Sequence, residues 1–139
     1  MELIRITAQG PESLSEFYAR EAQSYFQQGN SVLAEMLDSM VACVEYLRSS
    51  VVSPPVYAVT SHHRLRLIAG DDYTLPTLVT VEAVIDGPRT FGFEIAYELP
   101  PAESPWKNAW VRGLAIDVSQ AAEMIQISLR RNAHTSPGD

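Results

Sequence analysis

Two adjacent histidines, His62 and His63, are the side chains of this 139-residue chain best suited to move a proton or hold a metal. The surrounding residues read as a strand, on which neighbouring side chains point to opposite faces, so the two cannot readily share one ion. The third histidine, His134, lies in a polar C-terminal stretch. No His-x-His or Cys-x-x-Cys spacing occurs, and no metal site is expected. One histidine is read as a surface residue and the other as partly buried. Asp71 and Asp72 could bind a cation or act as an acid–base pair, but no further acids follow at calcium-loop spacing. Beside Gly70 they read as a solvated turn. The lone cysteine, Cys43, falls on an apolar helical stripe and reads as a packed thiol rather than a nucleophile. Neither a glycine-rich phosphate loop nor a Gly-x-Ser-x-Gly elbow is present. No catalytic residue is assigned, and no cofactor is expected.

Residues suited to contact with another protein are easier to find. Trp106 and Lys107 follow Pro105 in a proline-rich loop, where the prolines lower the cost of ordering an exposed aromatic. Tyr73 and Leu75, next to Asp71 and Asp72, form a second candidate contact. Trp110, at the start of a strand, is expected in the core. Arg64, Arg66, Glu82, Glu94 and Glu98 should project together from the wet face of a sheet. Cross-strand pairing among them is the expectation, and reading of a charged ligand or partner is the alternative.

These residues need a scaffold, and the length suits one domain. Ser13 precedes Glu16 by three, the pattern of a capping box at a helix start. Leu14, Tyr18, Ala22 and Tyr25 then recur at helical spacing up to Gly29, a residue suited to the left-handed cap. A second helix starts at Asn30 or Ser31 and runs to about Ser49. Its stripe of Leu33, Met36, Leu37, Met40, Val44 and Leu47 is wide enough to meet both the first helix and a sheet. Pro54 and Pro55 end the helical half. Residues 56–69 read as one strand, bent at Ser61, followed by strands near 77–85 and 90–99 joined by a turn at 86–89. The last of these alternates, with Phe91, Phe93, Ile95, Tyr97 and Leu99 inward and Thr90, Gly92, Glu94, Ala96 and Glu98 outward. Residues 110–116 form another strand, and Asp117 with Gln120 caps a final helix ending in Arg130 and Arg131.

The expected fold is therefore α+β: an N-terminal antiparallel helix pair, an antiparallel meander sheet of three to five strands, and a C-terminal helix on the apolar sheet face. Residues 1–132 form a single domain, with 2–8 as a short edge strand and 133–139 as a disordered tail.

The charge narrows the partners. Seventeen acids face ten bases, for a formal charge of −7, and the excess lies entirely before residue 110. Such a field repels phosphate backbones, so direct nucleic-acid binding is not expected, whereas a basic protein surface suits it. A charged content of 19% is low for a fully solvated surface, which leaves room for a covering partner or a homo-oligomer. Neither a leader-type N-terminus nor an 18-residue apolar run is seen, so no membrane contact is expected and the expected location is cytoplasmic. The functional expectation is a non-enzymatic protein-binding module: a chaperone, an adaptor or a toxin-neutralising immunity-type protein that covers a partner surface. Two alternatives stand beside it. One is a small-molecule-binding or catalytic domain with a pocket lined by Phe17, Tyr18, Tyr25, Phe91, Phe93 and Tyr97. The other is a subunit of a homo-oligomer.

Overall fold

Helix starts are set by side-chain caps. Ser13 accepts from the Glu16 amide at 3.1 Å, and Glu16 accepts from the Ser13 amide at 3.2 Å. That capping box opens α1 (Leu14–Gln27). Gly29, with φ +82°, turns the chain, and Asn30 accepts from the Leu33 amide to open α2 (Ser31–Ser50). Asp117 accepts from the Gln120 amide at 2.8 Å and opens α3 (Val118–Ala133). The computed structural model describes residues 1–51, 53–85 and 91–133. The turn expected at 86–89, Thr90, the inward side chain of Phe91, His134 and the tail from 134 lie outside the described residues.

The strands are β1 (Leu3–Arg5), β2 (Val56–Ser61), β3 (Arg64–Ile68), β4 (Val79–Ile85), β5 (Phe91–Glu98) and β6 (Trp110–Ala115). They lie in one sheet in sequence order, β1-β2-β3-β4-β5-β6. The α+β class holds, but the sheet is mixed rather than an antiparallel meander of three to five strands. β1 joins β2 in parallel, Leu3 beside Val56, with the α1–α2 pair as the crossover that such neighbours require. The segment 56–69 is not one bent strand. It is a hairpin, with Ser61 opposite Arg64 and His62-His63 as a two-residue turn. His62 has φ +56°, a left-handed conformation in which histidine is tolerated better than most side chains.

All three helices cover one sheet face. Leu65, Leu67, Val79, Val81, Phe93, Ile95 and Ala115 point from the sheet into a core with Tyr18, Leu37, Met40, Val44, Leu47 and Ile125. The wide stripe of α2 packs on α1, α3 and β4, as its width predicts. Met1 is buried beside it, and its nitrogen donates to the Leu47 carbonyl at 2.9 Å and to that of Val51, which ties the start of β1 to the end of α2.

The outer face is divided. Over β1–β3, Ile6, Val59 and Ile68 form a second small core, with Tyr57 and Leu75 packed against it. Across β3–β6 the outer rows are charged. Arg64 pairs with Glu82 at 3.1 Å, Arg66 donates to Thr77 Oγ1 at 2.8 Å, and Arg112 pairs with Glu94 at 2.9 Å. Glu82 and Glu94 sit directly opposite one another, so each is drawn to an arginine on its far side. These exposed pairs each contribute about 0–1 kcal/mol and hold the row in place rather than the fold.

Candidate contact surface at the open sheet edge

The β5–β6 loop is ordered by its own polar groups. The Glu103 amide donates to the Pro100 carbonyl at 3.0 Å, and Ser104 Oγ donates to the Trp106 carbonyl. Asn108 takes φ +61°, and Glu103 pairs with Arg131 of α3 at 3.1 Å. On this braced loop the Trp106 side chain is 71% exposed, with exposed Lys107 beside it. An indole held out by a pre-ordered backbone loses little entropy when it is covered.

Trp110 is the main correction. It was expected in the core, yet it is 38% exposed. The reason is register. Trp110 lies opposite Glu98, so it shares the outer face with Glu94 and Arg112, while Val111, Gly113 and Ala115 face the helices. The Arg112 guanidinium stands 5.7 Å from the Trp110 ring centre. Leu114, next in the outer row, is 48% exposed. Of ten exposed large apolar side chains, five (Trp106, Trp110, Val111, Leu114 and Ile116) belong to β6 and its flanks, which marks this edge above any other part of the described surface.

The backbone of β6 is also available. Leu99 donates to the Ala109 carbonyl at 2.8 Å, so the pair 99–109 is a hydrogen-bonded pair of the antiparallel ladder. Alternation then turns the amides and carbonyls of Val111 and Gly113 toward β5, and those of Trp110, Arg112 and Leu114 toward the open side. The next amide on that side, Ile116, is taken up by Gln120 Oε1 at 2.8 Å. β6 ends the sheet. The open strand has no proline, and its one charged residue, Arg112, is already engaged by Glu94, so the usual devices that protect an edge are largely missing.

The second predicted contact lies elsewhere. Tyr73 is exposed, but Leu75 is half-buried against the small outer core. Asp71 accepts from the Thr7 amide at 2.8 Å and from its hydroxyl at 2.6 Å, and Asp72 accepts from the Thr74 amide and hydroxyl. These bonds hold both carboxyls below the usual carboxylate range. Asp71 thereby pins the 70–78 segment onto the β1 side of the sheet, and Asp72 shapes that segment from within. The Tyr73 and Trp106 loops therefore sit over opposite halves of the sheet, and the structure does not bring them together.

The chemically suggestive residues stay dispersed. Burial pushes the Cys43 thiol up to about 12, leaving no thiolate at neutral pH. Burial also raises the Tyr18 phenol, which donates to the His63 carbonyl at 3.2 Å. The ring of half-buried His63 packs edge-on against Tyr25 at 5.4 Å, and His62 is exposed. No group of three metal-capable side chains occurs among the described residues. Tyr18 and Phe93, expected to line a pocket, fill the core instead, and Phe17 and Tyr25 pack against it.

Sequence reasoning missed Arg5. Its parallel register with Ala58 points it under the helices, where 9% of the side chain is exposed. It donates to the Glu12 carbonyl at 3.2 Å and to Thr60 Oγ1 at 3.4 Å, and stacks 4.6 Å from the centre of the Phe17 ring. Its Nε is buried without a hydrogen-bond partner among the described residues.

No protein-family model matches the chain, and no curated protein or solved structure is significantly similar to it. No helix among the described residues is long and apolar enough to cross a membrane.

Proposed function

We propose that this chain is a non-enzymatic protein-binding module that takes up an extended segment of its partner along β6. The observation that carries this reading is the coincidence of an open ladder edge with the densest group of exposed apolar side chains. Outward amides and carbonyls at Trp110, Arg112 and Leu114 would supply main-chain hydrogen bonds, and Trp106, Trp110 and Leu114 would supply apolar contact. The chain's charge of −7 favours a basic segment, apolar at alternate positions. A chaperone, an adaptor and a toxin-neutralising protein would all use such an edge.

The test begins with tagged protein, partner capture and mass spectrometry, followed by affinity measurement with the purified partner. Leu114→Pro removes one outward amide without touching the bonds to β5, whereas Leu114→Ala removes only the side chain. Trp106→Ala is expected to weaken binding about 30-fold, the effect of losing a 2 kcal/mol hot spot. Leu114→Pro should weaken it more than Leu114→Ala, with circular dichroism unchanged in all three. Wild-type affinity in both Trp106→Ala and Leu114→Pro would overturn the reading. The same edge could instead meet a second copy, against the repulsion of two acidic chains. A dimer by light scattering, lost on Leu114→Pro, would replace the partner with self-pairing.

A further inference from the structure

Away from β6, the C-terminal half of α3 and the sheet end near β2 and β4 enclose an open cleft of about 510 Å³. Pro54, Pro55, Val56, Leu78 and Leu129 make its wall largely apolar, and Gln126 and Arg130 supply polar groups. The volume falls in the range of small-ligand sites, roughly 300–1,000 Å³, which combine apolar walls with a few orienting polar groups.

Arg130 gives the cleft a sign. Arg5, Arg20, Arg48, Arg64, Arg112 and Arg131 each pair with a carboxylate, and Arg66 is held by Thr77. Arg130 has no ion pair among the described residues, although the chain carries seven more acids than bases. The adjacent Arg131 is committed to Glu103 and the Met1 ammonium donates to the Leu47 and Val51 carbonyls, which leaves Arg130 as the side-chain cation lining the cleft. Carbonyls at the end of α3 disfavour an anion there, so a ligand needs both the guanidinium and apolar burial to stay bound.

We infer that this cleft binds a small amphipathic carboxylate, its apolar body against Val56, Leu78 and Leu129 and its carboxylate on Arg130. The inference uses no residue of β6 and stands whether or not the edge binds a partner.

Decanoate and the neutral 1-decanol are suitable probes, titrated into the isotopically labelled full chain and followed by amide shifts. Decanoate should saturate shifts at Val56, Leu78 and Leu129 below about 1 mM. 1-Decanol should bind about tenfold more weakly. Arg130→Gln should erase that difference by weakening decanoate alone, and Ala69→Phe, which fills the cleft, should abolish both titrations while the spectrum stays folded. Equal binding of the two probes, or unchanged decanoate affinity in Arg130→Gln, would overturn the carboxylate assignment. Absence of saturable shifts at the three cleft residues would overturn the site itself.

Discussion

The two edges of the sheet are built on opposite principles. β1 is three residues long, pairs in parallel, and has the small core of Ile6, Val59 and Ile68 beside it. Asp71 clamps the covering segment to Thr7. β6 is twice as long and carries two outward-facing apolar side chains, exposed beside the Arg112–Glu94 pair. Local structure is thus laid over the outer sheet face on the β1 side, although β1 itself also borders an open cleft of about 600 Å³. The first edge serves stability, and the second is left presentable.

The contrast can be broken most strongly from the covered side. Ile68 is fully buried between Ile6 and Val59, so Ile68→Ala should lose about 3 kcal/mol in urea unfolding, the cost of a cavity in a core without slack. Arg5→Ala should cost about 2 kcal/mol, because it strips the partly buried contact with Glu12 and the stacking on Phe17. A loss under 0.5 kcal/mol in either variant would mean that the β1 edge contributes little to the fold. On the open side, Leu114→Lys should leave unfolding within about 0.5 kcal/mol of wild type while abolishing partner capture. A large destabilisation there would show that β6's outer row belongs to the fold.

The smallest effect is one of pH. The Asp71 and Asp72 carboxyls are depressed in the folded chain by their Thr7 and Thr74 hydrogen bonds. Their contribution is complete above the ordinary aspartate value of about 3.9 and fades as pH falls through the lower folded values. Amide shifts of Thr7 and Thr74 should therefore titrate below pH 4, with the Thr7 response absent in Asp71→Ala. A Thr7 midpoint at or above the ordinary value would remove the clamp.

What the sequence disclosed follows from how local each signal is. Ser13, Asn30 and Asp117 act on amides within three residues, so all three helix starts were legible. The strands of β4 and β5 were legible through alternation on a half-buried sheet. The β2–β3 hairpin was not, because His62-His63 lacks the glycine or asparagine that announces such a turn. β1's parallel pairing depends on residues more than fifty positions away and leaves no periodic mark in three residues. Trp106 stood out by composition and loop chemistry. The outward facing of Trp110 depends on register across a long proline-rich loop, and a shift of one residue would have buried it.

One consequence lies in how the Ile116 amide is spent. Gln120 occupies it, so at the α3 end the outward rungs of β6 stop at Leu114. The edge thus carries a built-in stop at that end. A strand docked there, as the proposed function has it, would run out of rungs at Leu114, so its reach is limited from the α3 side.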